Sequence, residues 1–261
     1  MILTIDIGNT NIVFAFYDDN GNLGHSFRHS SDTKKTEDEY AMFILNCMDD
    51  INIKKTSIYG ISISSVVQQL TPCLTRMCKK YFGSINTTIV GENNLKLGVT
   101  LLTDYAQKSL GSDRIANCAG AIGRYGPDVI IVDFGTATTI DAVKNSEYVG
   151  GIILPGVNSL IESLYKNTSQ LPWFVLKAPE KLIGSSTIDQ LRSGVFHGMI
   201  EMIEGLLAKL KTDIGYNPIV VATGGISTIF ENHFRSIDRY DSDLTTFGLY
   251  HIHKINTNTK N

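Results

Sequence analysis

Two stretches about half a chain apart repeat one pattern: IDIGNTNIVFAFYD from Ile5 and VDFGTATTIDAVKN from Val132. Each opens on an apolar run, breaks at Asp-x-Gly, turns through small polar residues and returns as a second β-rich run. Short apolar runs bounded by Gly, Asn and Thr read as strands, and two of them around such a turn read as a hairpin. The first copy predicts strands over 2–5, 12–17 and 23–28, with a turn at Asp18-Asp19-Asn20-Gly21. The second predicts strands over 129–132, 140–143 and 148–154, with a turn at Asn145-Ser146. Two unrelated hairpins could share a D-x-G turn. The same element order at half-chain spacing points instead to an internal duplication, and so to an α/β fold in two halves, 1–115 and 116–261.

The remaining segments fill in each half. The polar stretch 29–39 reads as a loop into a helix carrying Tyr40, Phe43, Ile44 and Cys47 at helical spacing. A strand over 58–64 follows, then a helix opened by Thr71-Pro72 and closed by Gly83, then a helix over 109–124. The second half continues with a helix over 158–168 and a loop at Leu171-Pro172-Trp173. A long amphipathic helix through Met199, Ile203, Leu206, Leu207 and Leu210 ends at Gly215. A strand over 219–222 runs into Thr223-Gly224-Gly225 and a further helix, and the polar tail 256–261 reads as disordered.

Composition narrows the class of function. At 261 residues with 43% hydrophobic and 19% charged residues, the chain has the make-up of a soluble enzyme. A formal net charge of -3 and the lack of a basic run argue against a nucleic-acid partner. The first apolar run is cut by Asp6, and no stretch approaches the ~20 apolar residues of a membrane helix, so a cytoplasmic location is expected. Cys47, Cys73, Cys78 and Cys118 are scattered without CxxC pairing and read as reduced, mostly buried thiols.

The repeated turn suits a nucleotide. Glycine lets the backbone approach phosphates closely, and successive amides with Thr hydroxyls donate to phosphate oxygens. An aspartate at the end of the preceding strand repels phosphate, but it can hold Mg²⁺ or its waters, which bridge to the β- and γ-phosphates. Two such loops facing each other would form a cleft for ATP. The chain has neither the Gly-Lys-Ser of a P-loop nor a GxGxxG at a helix start, which removes the two commonest alternatives. Thr223-Gly224-Gly225 is either a further nucleotide contact or a plain strand-to-helix turn. In Leu110-Gly111-Ser112-Asp113-Arg114, the acid and base could be a solvated ion pair. At a helix start they could instead divide a reaction: Asp113 accepting a proton from a substrate hydroxyl, Arg114 fixing an anionic group or the transferring phosphoryl.

The ordered set of motifs resembles the type III pantothenate kinases. It comprises Asp6-Ile7-Gly8-Asn9-Thr10-Asn11, Gly111-Ser112-Asp113-Arg114, Asp133-Phe134-Gly135-Thr136-Ala137-Thr138-Thr139 and Gly150-Gly151 with Pro155-Gly156. Thr168-Ser169-Gln170-Leu171-Pro172, Ile183-Gly184-Ser185-Ser186-Thr187, Ser193-Gly194 and Thr223-Gly224-Gly225 support it across nearly the whole chain. The resemblance implies a duplicated ribonuclease-H-like fold of the actin/hexokinase/Hsp70 superfamily, with a nucleotide cleft between two mixed-sheet domains and a homodimer as the working form. It implies ATP-dependent phosphorylation of pantothenate, the first step toward coenzyme A. By the same resemblance, Asp6, Ile7, Gly8, Asn9, Thr10, Asn11, Ile12 and Val13 grip the ATP phosphates with Thr136, while Asp6 serves Mg²⁺. Asp113 would be the general base; Gly111, Ser112, Asp113, Arg114 and Thr187 would contact pantothenate; and Asp133 would hold a monovalent cation, K⁺ or NH₄⁺. The chain departs from the family pattern at Asp104, Tyr105, Ala106 and Gln107, and at Thr246-Phe247-Gly248-Leu249. Other readings are a regulatory accessory factor of the same fold, or a kinase with a different hydroxyl acceptor.

Overall fold

The computed structural model describes residues 1–92, 94–102, 109–168 and 170–257. Asp104, Tyr105, Ala106 and Gln107, where the chain departs from the family pattern, lie outside these residues, as do Ser169 and the last four positions. The chain divides into two units. One comprises Met1–Pro127, Asn145–Tyr148 and the residues from Asp243 onward; the other comprises Asp128–Lys144 and Val149–Ser242.

The first unit is built on strands β1 (Ile2–Ile7), β2 (Asn11–Tyr17), β3 (Leu23–Ser30), β4 (Gly60–Ser65) and β5 (Asn86–Ile89). They form a mixed sheet in the order β3-β2-β1-β4-β5. The β1–β2 and β2–β3 pairs are antiparallel, whereas β4 and β5 add in parallel. Alternation along β1 and β2 divides the side chains between two faces. Leu3, Ile5, Ile7, Ile12, Phe14 and Phe16 are buried with Tyr40, Ile44, Leu74 and Met77 of helices α1 (Glu37–Asp50) and α2 (Thr71–Phe82). Thr36 opens α1 with a capping box closed by Glu39, which stops the preceding loop from fraying into the helix. On α2, Pro72 occupies the first turn, where its missing N–H has no helical partner to lose.

The opposite face of that sheet is covered by α3 (Ser112–Tyr125) and α6 (Leu244–Thr257). Phe247 and Tyr250 of α6 pack on Ile2, Ala15 and Tyr17. Helices α3 and α6 cross where Gly120 meets Gly248, and a methyl on Gly248 would run into the carbonyl of Ala116. Gly248 thus has a packing reason that is independent of its altered neighbours. The expected division at residue 115 falls inside α3.

The second unit repeats the sheet with β6 (Val129–Phe134), β7 (Ala137–Lys144), β8 (Glu147–Pro155), β9 (Ile219–Thr223) and β10 (Arg239–Tyr240). Its order, read from the third strand, is β8-β7-β6-β9-β10, the same topology as the first. Helices α4 (Val157–Lys166) and α5 (Thr187–Ile214) cover one face, with Ile161, Phe196, Met199, Ile203 and Leu207 against Ile130, Val132, Ile140 and Val220. The long α5 starts at Ser186, whose hydroxyl accepts from the Asp189 amide, and stops at Gly215 in the left-handed region.

Three expectations need correction. The strand β3 extends to Ser30, into the stretch read as loop, because Asn11 still pairs with Ser30. Thr223-Gly224-Gly225 leads not to a helix but to a 3-10 turn, Ser227–Phe230, because Asn232 with φ 67° breaks the chain soon after. Asn256 and Thr257 are helical rather than disordered: the Asn256 amide group accepts from the Lys96 N–H at 3.0 Å and donates to its carbonyl at 2.8 Å.

Candidate active site

At the end of β1, Asp6 pairs in register with Ser64 of β4, and the Ser64 hydroxyl donates to Asp6 Oδ1 at 2.6 Å. Beyond it, Ile7 pairs with Ile12, leaving Gly8, Asn9, Thr10 and Asn11 to make the turn. The Gly8 amide donates to the Asn11 carbonyl at 3.0 Å, which closes the turn on itself. Ser31, the first residue after β3, then fastens it twice. Its amide donates to the Thr10 carbonyl at 2.9 Å and its hydroxyl to the Gly8 carbonyl at 2.5 Å. Asn9 and Thr10 are exposed at the tip, while Gly8, Asn11 and Val13 are half-buried. Ile7 and Ile12 are fully buried in the apolar core, so only their backbones are placed to reach a ligand.

The second unit repeats this end of the sheet. Asp133 of β6 pairs with Thr223 of β9, and Phe134 pairs with Thr138, so the turn is Gly135, Thr136 and Ala137. Thr136 and Ala137 are exposed. Gly156, the first residue after β8, lies so close that any side chain there would strike the Thr136 carbonyl, which also accepts from the Ser159 hydroxyl at 3.2 Å. After β9, Gly224 adopts φ 94°, and a Cβ on it would stand 2.6 Å from Asp133 Oδ1. The Thr223-Gly224-Gly225 motif therefore gives the Asp133 carboxylate room, in a backbone conformation open to glycine.

The segment Gly111-Ser112-Asp113-Arg114 forms the start of α3 in the first unit. Ser112 and Ser65 lock it to the end of β4: the Ser112 hydroxyl donates to the Ser65 carbonyl at 2.9 Å and accepts from the Ser65 amide at 2.8 Å. Asp113 lies in the first turn, where the helix dipole favours a carboxylate, and its Oδ1 accepts from the Arg114 amide at 2.7 Å. Arg114 is buried, and its Nη2 donates to the Tyr148 hydroxyl at 2.9 Å. Thr187 is exposed in the first turn of α5, in the second unit. The first unit thus brings Asp6, the turn 8–11 and the segment 111–114 to the ends of the neighbouring strands β1 and β4. The second brings Asp133 and Thr136 to the end of β6.

The surroundings of Asp6 suit the divalent ion expected there. Among the described residues, no three His, Cys, Asp or Glu side chains converge on a point that could hold a metal. A single carboxylate backed by a hydroxyl, as at Asp6, fits a Mg²⁺ ion that takes its other oxygens from phosphates and water. Sequence reading missed Ser31, Ser64 and Tyr148. The repeat in register could have revealed Ser64 as the counterpart of Thr223. Ser31 and Tyr148 carry no local signal, because their partners are distant in sequence.

The family model of type III pantothenate kinases matches residues 2–209. A type III pantothenate kinase of Halalkalibacterium halodurans is 40% identical over 257 residues, covering 98% of this chain and 100% of its own length. One from Paramagnetospirillum magneticum is 36% identical over 258 residues, 98% of both chains. Among solved structures, a Baf family transcriptional activator from Campylobacter jejuni aligns with a TM-score of 0.61 at 25% identity, over 98% of this chain and 99% of that one. A ROK family glucokinase from Streptomyces griseus, in complex with glucose and AMPPNP, aligns with a TM-score of 0.53 at 13% identity, over 97% and 98% of the two chains. The latter is a likeness of fold alone.

Proposed function

The chain belongs to the type III pantothenate kinase family, and from that premise we propose that it transfers the γ-phosphoryl group of ATP to the hydroxyl of pantothenate. The product, 4'-phosphopantothenate, is that of the first step of coenzyme A biosynthesis. The observation that carries the reading within the chain is Asp113 in the first turn of α3, beside the locked Ser112–Ser65 pair.

Asp113 takes the proton of the pantothenate hydroxyl as that oxygen bonds to the γ-phosphorus and the bond to the β-phosphate bridging oxygen breaks. The ADP oxygen leaves with its electron pair, and the proton stays on Asp113 until product departs. Gly111, Ser112 and Thr187 line the acceptor, and Arg114 receives its carboxylate. The amides of the turn from Gly8 to Asn11, the backbones of Ile7 and Ile12, and Val13 cradle the ATP phosphates, with Thr136 of the second unit as a further contact. Mg²⁺ supplies charge neutralisation on the triphosphate; Asp6 holds it, directly or through water. Asp133 holds a monovalent cation, K⁺ or NH₄⁺, which adds to that neutralisation.

The chain works as a cytoplasmic homodimer in this proposal. Exposed apolar side chains at Trp173, Val175, Leu182 and Ile183 support a partner surface, and no helix among the described residues is long and apolar enough to cross a membrane. Light scattering after size exclusion tests the dimer, and a monomer at micromolar concentration contradicts it.

The test of function is ADP release with Mg-ATP, with and without pantothenate, in K⁺ and in Na⁺ buffer. Turnover that needs pantothenate and is faster in K⁺ is expected. ATP binding without turnover on pantothenate overturns the reading. It favours the regulatory alternative suggested by the name of the Campylobacter jejuni relative. Asp133→Ala should flatten the K⁺ response; an unchanged response places the ion elsewhere.

A further inference from the structure

Arg114 poses a local problem of orientation. A guanidinium has five N–H donors in a rigid plane, and at 9% exposure each must be directed by a neighbour or a ligand. One of the neighbours is Tyr148, whose phenol oxygen accepts from Arg114 Nη2 at 2.9 Å and which is itself 6% exposed. Tyr148 lies far along the chain, just after the turn between β7 and β8, yet the segment Asn145–Tyr148 belongs to the first unit.

That segment is held with unusual care. Asn145 and Ser146 both have positive φ, 52° and 61°, as a tight hairpin turn demands. The Ser146 amide donates to the Pro127 carbonyl at 2.9 Å. Thr100 then bridges the far side: its amide donates to the Ser146 carbonyl at 2.8 Å, and its carbonyl accepts from the Tyr148 amide at 2.9 Å. Three backbone hydrogen bonds within three residues leave the Tyr148 side chain little freedom. A phenol is also well chosen as a partner, since it orients the fork without adding a charge of its own.

We propose that Tyr148 is a positioning residue for phosphoryl transfer, holding the Arg114 guanidinium in the plane in which it receives the carboxylate of the acceptor. This rests on the role given to Arg114 above. It adds the chain's means of setting that arginine, from a turn that the sequence places among the elements of the other unit. Tyr148 touches neither phosphate nor proton in this scheme; it acts through Arg114 on acceptor affinity.

The experiment compares two acceptors: pantothenate, and pantothenyl alcohol, in which a hydroxymethyl group replaces the carboxylate. Steady-state kinetics, with calorimetric Kd values where turnover is slow, are measured for wild type, Tyr148→Phe, Arg114→Lys and Arg114→Met. Tyr148→Phe should raise KM for pantothenate about tenfold, the scale of one charge-assisted hydrogen bond, with kcat and the KM for ATP nearly unchanged. With the alcohol, its effect should stay below about twofold, since no carboxylate remains to be aligned. Equal losses with both acceptors, or no loss with either, overturn the role of Tyr148. The arginine variants separate the two levels. If Arg114→Met loses equally on both acceptors, the carboxylate role of Arg114 fails. If Arg114→Met and Arg114→Lys discriminate between acceptors while Tyr148→Phe does not, Arg114 stands and Tyr148 is only structural.

Discussion

In the first unit the turn after the β1 aspartate carries four residues between its last paired positions, Ile7 and Ile12; in the second, between Phe134 and Thr138, it carries three. The aspartates are in equivalent places, and each faces a hydroxyl residue on the parallel neighbour, Ser64 or Thr223. In both units the first residue after the third strand fastens the turn. Ser31 does so with two hydrogen bonds, whereas Gly156 does so by close backbone approach with help from the Ser159 hydroxyl. Duplication has kept the sheet and the position of the clamp while changing its physics. A hydrogen-bonded clamp lets a longer turn present oriented amides; a contact clamp fixes a shorter turn that has less to present. The proposed chemistry would follow the same asymmetry. Among the described residues, the fourth strand of the first unit is tied to a helix start, at α3 with Asp113 in it, whereas β9 of the second runs into a 3-10 turn.

The largest effect that would sharpen this contrast comes from Asp113. Asp113→Asn should lower kcat by roughly 10³-fold, within the range for a general base, while the Kd for ATP stays within about twofold. Wild-type kcat in that variant would remove the chemistry from the first unit and with it the asymmetry.

Next come two glycines, Gly8 within the first turn and Gly156 against the second. Gly156→Ala drives a methyl into the Thr136 carbonyl, backbone against backbone, and should destabilise the fold by roughly 3 kcal/mol. At Gly8 the added Cβ would lie 3.0 Å from the Asn11 carbonyl, a tight contact that a slight shift relieves, so Gly8→Ala should cost about 1 kcal/mol. Chemical denaturation of both variants reads the difference. Equal losses would mean that close backbone approach constrains the first turn as much as the second.

The serines probe the same point from the binding side. Ser31→Ala removes the bond to the Gly8 carbonyl and should raise the KM for ATP by about fivefold; Ser159→Ala, which removes a 3.2 Å bond, should raise it by less than about twofold. A larger effect at Ser159 would put the dominant phosphate grip in the second unit.

The smallest effect concerns pH and the first unit alone. His253 on α6 is buried against Gly60, shares a 2.9 Å hydrogen bond with Thr88, and is pushed down to about 4 by burial and by the nearby Lys254. Its folded pKa lies below the unfolded value of about 6.5, so the unfolded chain binds a proton that the folded one refuses. The resulting loss of stability is absent above pH 6.5 and grows as pH falls toward 4. Amide protection factors, which divide out the intrinsic slowing of exchange in acid, should therefore fall over that window in β4 and β5 of wild type, and less steeply in His253→Gln. The same slope in both proteins would assign the effect to other groups.

How much of this was readable from the chain depends on whether the cause is local. Strands β1 to β3 and β6 to β8 were legible because apolar runs and turn residues are adjacent in sequence. Strand β5, with the residues NTTI, and the two-residue β10 were not, since each is a strand only by pairing in parallel with β4 or β9. Helix α6 was missed for a related reason: Leu244, Leu249, Tyr250 and Ile252 are buried on more than one side, between a sheet and another helix, and so show no clean stripe. At the expected site, the places of Asp6 and Asp133 at strand ends were legible from the turns that follow them and that of Asp113 from a helix start, whereas the burial of Ile7 and Ile12 became visible only with the sheet register. Tyr148 shows the limit most clearly, because nothing around it in sequence announces Arg114.

Helix α6 also bears on the order in which the protein is made. The ribosome delivers the first unit's strands early, but the helix that covers Ile2, Ala15 and Tyr17 is encoded after the whole second unit. During synthesis, at ~5–20 residues per second, that sheet face waits in the open for many seconds. A nascent chain of this design can finish its later-born half before its earlier one. Premature termination shortly before Leu244 would therefore release a polypeptide whose defect lies near its beginning, with an apolar surface for chaperones and proteases to find.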